Sequence, residues 1–366
     1  MAFISLKFRL YPKKSQVKKL EQTLEECRWL YNHLLNERKT SWENEKKSLS
    51  FYDQGRQITT LKKEKESLKT INAQVLENVA NRIDLAFKGF FRRIKTGEKP
   101  GYPRFKGKNQ YDSITYRQYG YKINANSISL SKIGEIKAVI HRPIEGKVKT
   151  CTIRRHNGKW FACLSVEVET QPLPKTNSQI GIDLGVEKFA ALSEGTFIDN
   201  PKFFKQEEKA LAKAQRKLSK QKKGLKERAN AKKVVRKIHD RISNKRHNFL
   251  HQTARKIINE HDVIVVEKLD VQNMQQDNYT SLNKSISDAS WCMFRQILTQ
   301  KAESAARKLI LVNPAYTSQD CSGCGNRAKK PLKERWHFCP NCGLSLDRDT
   351  NAAINILRLG LQSLNG

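Results

Sequence analysis

The stretch CPNCGLSLDRDTNAAINIL (residues 339–357) carries two chemistries side by side. Cys339 and Cys342 form one half of a metal knuckle, and Asp347 and Asp349 stand at the mouth of a run of small and apolar residues that predicts a helix. The other half of the knuckle lies upstream. CSGC places Cys321 and Cys324 at the same spacing, with 14 residues between the two pairs. Each pair offers two thiolates from one tight turn, Gly325 and Gly343 let that turn close, and the four sulfurs complete a tetrahedral shell. A closed four-thiolate shell predicts one structural Zn²⁺, with a pair of redox dithiols as the alternative. Cys27, Cys151, Cys163 and Cys292 are scattered among apolar residues and read as ordinary reduced core cysteines.

The two acids are conspicuous against the rest of the composition. The 366 residues hold 70 Lys and Arg against 36 Asp and Glu, a formal net charge of +34. Such an excess repels itself in a compact state and points to a large polyanion as partner, although a generally sticky basic protein has the same charge. Residues 201–260 alone carry 20 basic and 5 acidic side chains, so nearly half of the net charge sits in a sixth of the chain. That density favours a helical surface facing nucleic acid over a merely solvated helix face. No apolar run approaches the roughly 18 residues of a membrane span. The opening MAFISLKFRLYPKK has no uninterrupted signal-peptide core, so a cytoplasmic, nucleoid-associated protein is expected and no membrane partner.

Along the chain, residues 1–13 read as an edge strand ending at Pro12. Three helices follow, one from Ser15 with Val17, Leu20, Leu24, Cys27, Tyr31 and Leu34 on one face, a second over 51–68, and a third over 72–95. The third carries the stripe Val75, Val79, Ile83, Phe87, Phe90 and Ile94, expected to face a core. TGEKPGYPRFKGK (96–108) breaks the pattern. KWFACLSVEVE (159–169) then alternates as a strand, preceded by Asn157-Gly158 where a type I′ hairpin turn belongs. With strands near 128–130 and 136–140 this predicts a small antiparallel barrel, which residues 1–13 could complete. A meander over QIGIDLGVEKFAALSEGTFIDN (179–200), the basic helices, a buried strand in DVIVVEKLD (262–270), a polar loop, a helix from about 287 to 307, a strand, the cysteine module and a last helix complete the reading.

Three acids sit at matching places in this order. Asp183 interrupts the first strand of the meander, Glu267 ends a strand whose preceding residues are all apolar, and Asp349 opens the last helix. An acid at a helix start can simply be a cap, and Asp347 or Asp349 could serve so. Carboxylates within apolar strands have no such use, because burying them uncompensated is costly. The economical reading is that the acids converge on divalent cations, for which hard oxygen ligands are suited. The arrangement resembles the RNase H-like fold of RuvC nucleases, whose chemistry is two-metal phosphodiester hydrolysis with two Mg²⁺.

The resemblance narrows with GIDLGVEKFAALSEG, VIVVEKLDVQNM, KSISDASWCMFRQIL and the cysteine motifs with DRDTNAAINIL, in this order. Together with FRLYPKKSQ and GYPRFKGK near the amino terminus, they are similar to the TnpB family, RNA-guided DNA endonucleases of insertion-sequence transposons related to type V CRISPR effectors. The resemblance implies an α/β multidomain chain. Its parts would be a wedge β-barrel (1–13 and 97–175), a helical recognition insertion (14–96), a RuvC-like nuclease domain (176–318 and 345–366) and a four-cysteine zinc module (319–344). It implies Asp183, Glu267 and Asp349 as catalytic and Mg²⁺-binding residues, with Asp347 as runner-up for the third. It also implies a guide RNA from the transposon end, a double-stranded target DNA recognised beside a short adjacent motif, and a lid over about 272–284. A monomer is favoured. The competing readings are an RNA-guided repressor that does not cut, a DNA-strand transferase, and a zinc-ribbon nucleic-acid binder.

Overall fold

The computed structural model describes residues 2–169, 172–276, 280–328, 331 and 334–365. The chain divides into two compact units at Val168/Glu169.

In the first unit β1 (Ala2–Tyr11) leads into α1 (Lys14–Glu45), α2 (Phe51–Glu64), a short 3₁₀ turn and α3 (Ala73–Lys95). Then come β2 (Ser113–Tyr116), β3 (Tyr121–Asn124), β4 (Ser127–Leu130), β5 (Gly134–Val139), β6 (Lys147–His156) and β7 (Lys159–Val168). The helices start where side chains satisfy the free amides of a first turn. Ser50 and Asp53 cap α2 reciprocally, and the Asn72 side chain accepts from the Gln74 amide at the start of α3. The strands form one seven-stranded sheet in the order β2-β6-β7-β1-β5-β4-β3. Hence β1 is an interior strand and not the edge strand its position in the chain suggests. Its alternating Leu6, Phe8 and Leu10 are buried on one face, in the core shared with α1 and α3. Asn157 and Gly158 both have positive φ at the β6–β7 hairpin, as the type I′ reading expects.

Helices and sheet share one core. Leu20, Leu24, Cys27 and Leu34 of α1 pack with Val75, Val79 and Ile83 of α3 and with Ile128, Ile136 and Leu164 of the sheet. The apolar stripe of α3 is core-facing only through its first half. Phe87 packs at the margin of the core, and Ile94 is 51% exposed, because the helix continues past the sheet it covers.

The second unit contains β8 (Gln179–Leu184), β9 (Lys188–Leu192), β10 (Phe197–Asp199), α4 (Phe203–Ser219), α5 (Lys226–Glu260) and β11 (Val263–Glu267). It continues with α6 (Val271–Gln276), α7 (Thr280–Ala289), α8 (Trp291–Ser304), β12 (Lys308–Val312), β13 (Trp336–Phe338), β14 (Ser345–Asp347) and α9 (Arg348–Asn365). The polar stretch read as a loop therefore carries helices α6 and α7; residues 277–279 within the expected lid lie outside the described residues. Five strands form a mixed sheet, order β10-β9-β8-β11-β12, with β8, β11 and β12 parallel and the β8-β9-β10 meander antiparallel.

Strand periodicity sorts this sheet's two faces. Ile180, Ile182 and Leu184 of β8, with Ile264 and Val266 of β11, join Leu250 and Ala254 of α5 and Phe294 and Leu298 of α8 in one core. Val265 points the other way and packs with Ile356 of α9. Gly181 shares that second face. A Cβ there would fall 2.1 Å from the Ala353 carbonyl oxygen, so the missing side chain is what lets α9 lie directly on β8. Asp183 is two residues further along the same face, and Glu267 two beyond Val265. No helix among the described residues is long and apolar enough to cross a membrane.

Candidate active site

The site follows from that register. β8 and β11 run parallel with Gly181 opposite Val265 and Ile182 opposite Val266, which brings Asp183 alongside Glu267 at the carboxyl ends of two adjacent central strands. The Asp183 and Glu267 side chains are hydrogen-bonded to each other, and the Leu184 amide donates to Glu267 Oε1 at 3.0 Å. Asp349 is the second residue of α9, whose seating on Gly181 brings it within electrostatic reach of both strand acids.

The electrostatics are those of carboxylates crowded together out of water. Glu267 is 5% exposed. Burial first, opposed by the Leu184 amide and reinforced by the charge of Asp349, pushes its pKa up to about 7. Asp183 keeps part of its surface in solvent while its carboxyl is surrounded by protein. Burial, then the charges of Glu267 and Asp349, hold its pKa well above the ordinary carboxylate range. Two acids pushed up in this way, at the tips of two strands, are the pattern of a functional site more than of a stable core.

Asp347 does different work. Its Oδ1 accepts from the amides of Asp349 at 2.9 Å and Thr350 at 3.1 Å, which makes it the cap of α9. The two acids of the DRD motif are thus divided between holding the helix start and facing the strand acids. Two arginines stand beside Asp349. Arg335 Nη1 and Arg348 Nη2 each lie 3.5 Å from its carboxylate, and Arg335 also pairs with Glu187 just beyond β8 at 2.5 Å. The sequence reading missed Arg335 and Glu187. In a chain with 70 basic residues one more arginine carries no signal until the fold places it.

The cysteines converge as their spacing predicts. Among the described residues, Cys321, Cys324, Cys339 and Cys342 are the one set of three or more such side chains whose ligand atoms all lie within 4.8 Å of one another. Cys321 Sγ is 3.6 Å from Cys342 Sγ, and Cys324 Sγ is 3.6 Å from Cys339 Sγ. A tetrahedron with Zn–S bonds of about 2.3 Å has edges of about 3.8 Å, so four thiolates in this arrangement fit a zinc ion. Gly325 and Gly343 both adopt positive φ, and their amides return to the Cys321 and Cys339 carbonyls to close each knuckle. Asp183, Glu267 and Asp349 do not form so tight a set. Carboxylate oxygens are hard ligands of the kind divalent cations prefer, and among the described residues the hydrogen-bond partners of the two strand acids include no cationic side chain.

Comparison with known proteins gives this geometry a relationship. A family model described as "Probable transposase" (OrfB_IS605) matches residues 163–278, and one for the Cas12f1-like TNB domain matches 291–356. A third, described as a helix-turn-helix domain, matches 1–47, where the structure has strand β1 and the single helix α1. A protein of Streptomyces pristinaespiralis named "Putative RNA-guided DNA endonuclease" is 32% identical over 98% of this chain and 89% of its own length. InsQ of Escherichia coli (strain K12), named in the same way, is 30% identical over 97% of this chain and 92% of its own. The protein chain of a Cas12f1–sgRNA–target DNA complex superposes with a TM-score of 0.59 at 16% identity, covering 93% of this chain and 82% of that one. The fold is therefore that of the Cas12f group. By its sequence relatives, the chain itself belongs to the TnpB family of transposon-encoded proteins related to type V CRISPR effector nucleases.

Proposed function

We propose that this protein is an RNA-guided DNA endonuclease that cuts double-stranded DNA beside a short adjacent motif, with Asp183, Glu267 and Asp349 as its catalytic residues. The observation that carries the proposal is the buried carboxylate pair Asp183–Glu267 in a chain of net charge +34. A basic surface attracts polyphosphate, but hydrolysis needs a place where cations and the scissile phosphate meet. The second unit is in this reading a RuvC-like RNase H nuclease domain interrupted by the zinc module. The first unit contains the wedge barrel and the recognition helices.

The chemistry supplied by two bound Mg²⁺ is activation of a water and stabilisation of the leaving oxygen. The protein's own contribution is positional. Asp183 and Glu267 sit on two hydrogen-bonded strands, so their separation is fixed by the sheet register. The Leu184 amide fixes the Glu267 carboxylate by holding one oxygen, and the hydrogen bond to Asp183 ties the two acids together. Burial raises the pKa of both acids, and a bound cation would favour their charged forms. Arg335 must share Asp349 with any incoming cation, and its exposed guanidinium can turn instead to a phosphate. The four cysteines, holding one structural Zn²⁺, order the module whose β13–β14 pair leads into α9.

Guide RNA from the transposon end supplies sequence by base pairing in this reading, and the basic helices α4 and α5 hold backbone. The test is to co-express the protein with its native downstream DNA and purify the complex. It is then challenged in Mg²⁺ with plasmids bearing a matched target beside a randomised flank. Cuts that need the RNA and fall beside one flanking motif support the proposal. Tight, specific binding without cuts makes the protein a guided repressor instead.

A further inference from the structure

The face of α9 that turns away from the sheet carries a second device. Asn351 is fully buried and Asn355 is 2% exposed, both polar residues among the buried Ala352, Ala353 and Ile356. They stand one helical turn apart, and both reach the same target, the backbone of residues 317–322 that leads into the first cysteine knuckle. Asn351 Oδ1 accepts from the Ser322 amide at 2.9 Å, while its Nδ2 donates to the Asp320 carbonyl at 2.8 Å. Asn355 Nδ2 donates to the same Asp320 carbonyl at 2.6 Å and to the Thr317 carbonyl at 2.9 Å. Ser322 follows Cys321 directly, so these bonds end on the knuckle itself. A carboxamide offers a donor and an acceptor in a single plane, and Asn351 uses both against the alternate residues Asp320 and Ser322.

The same end of α9 is gripped from two other directions. Its cap, Asp347, belongs to β14, which pairs with β13 of the cysteine module. Its inner face rests on Gly181. Asp349 lies between the cap and Asn351, so whatever orders the cysteine module also fixes where that carboxylate points. A buried amide that loses its partners bears the full desolvation penalty of its polar atoms, so the clamp holds while the knuckle is folded.

We propose that Asn351 and Asn355 are positioning residues that couple the zinc-bound cysteine module to Asp349, so that the order of the module sets the affinity of the nuclease site for divalent cations. The proposal rests on the reading of Asp349 as the third acid of that site. It also assigns the two asparagines of DRDTNAAIN a role as backbone readers, distinct from binding metal or substrate.

The test compares Asn351→Ala, Asn355→Ala and Asp349→Ala with the parent in the full RNA-bound complex. It measures zinc content, target binding, hydrogen exchange of the α9 amides, and cleavage across a Mg²⁺ series. For the asparagine variants the expected result is unchanged zinc and binding, faster exchange in the first turns of α9, and a half-saturating Mg²⁺ concentration raised by roughly 10-fold. Cleavage should recover at high Mg²⁺, and Asn351→Gln should not restore the parent value, because its longer amide displaces the paired backbone. Asp349→Ala should stay inactive at every Mg²⁺ concentration. If Asp349→Ala cuts like the parent, the reading of Asp349 falls. If Asp349→Ala is inactive while the asparagine variants keep parental exchange and Mg²⁺ response, the clamp is refuted on its own. Should Asn351→Ala fail to fold, Asn355→Ala decides alone, since it leaves the Ser322 bond in place.

Discussion

In the proposed reading the cysteine cluster and the carboxylate cluster are opposite solutions to holding a cation. The four sulfurs come from two short turns within 22 residues, and their geometry is local. The three carboxylates come from two strands and a helix, spread from Asp183 to Asp349, and meet only when the sheet has formed. The thiols release folding free energy when they take a metal. The carboxylates oppose folding until something positive arrives, which is what burial and mutual repulsion do to the acidity of Asp183 and Glu267. In that reading one cluster serves stability, and the other stores instability.

The largest effect that could break this contrast is on cleavage. Asp183→Ala should lower guided cutting by on the order of a thousandfold or more while guide RNA binding changes by less than about twofold. Loss of RNA binding on that substitution would make Asp183 structural. The cysteine side predicts the reverse pattern. Cys339→Ser should release zinc and lower the melting temperature by about 5–10 °C, read by metal analysis beside calorimetry. An unchanged melting temperature would mean the sulfurs hold nothing.

A smaller effect sharpens the carboxylate half. Glu267 has its pKa raised to about 7 from an ordinary 4.5, so the folded state holds a proton that the unfolded chain has already lost. Stability from this group is therefore undiminished below about pH 4.5 and lost as pH rises through 7. Glu267→Gln abolishes that slope. Without divalent cations it should match the parent at pH 4.5 and exceed it by on the order of 3 kcal/mol at pH 8. Added Mg²⁺ should stabilise the parent alone. A variant less stable than the parent at pH 8 would contradict the stored-instability account.

The smallest expected effect concerns the basic helices. Lys222 and Lys223, exposed in the turn between α4 and α5, should each contribute no more than about one unit to the salt dependence of nucleic-acid binding. The double alanine variant should flatten the plot of log affinity against log salt by about two units at most, without changing target preference. A changed preference would show these lysines reading bases.

How much of this was legible in the sequence follows the same divide. The cysteine site could be read directly, because its ligands are close in the chain and its turns demand glycine. The strand acids could be found because a carboxylate inside IGIDL or VIVVE breaks an apolar pattern that little else explains. The helices and the hairpin at Asn157-Gly158 followed from periodicity and turn chemistry. What periodicity does not encode is order across a sheet, so β1 read as an edge strand although it lies between β7 and β5. Arg335 meets Asp349 and Glu187 only through tertiary placement. Asn351 and Asn355 did leave a trace, as two amides four residues apart among Ala352, Ala353, Ile354 and Ile356, but an isolated asparagine in a helix also suits a solvated face. Only their burial distinguishes the two.

The most direct test sets the two acids of the DRD motif against each other. Asp347→Asn and Asp349→Asn are compared for guided plasmid cleavage in Mg²⁺ at equal RNA occupancy. Asparagine caps a helix about as well as aspartate, so Asp347→Asn should cut at close to the parental rate. Asp349→Asn removes a charge from the carboxylate cluster and should not cut. Equal activity of the two variants, or loss confined to Asp347→Asn, would contradict the claim that Asp183, Glu267 and Asp349 form the nuclease site.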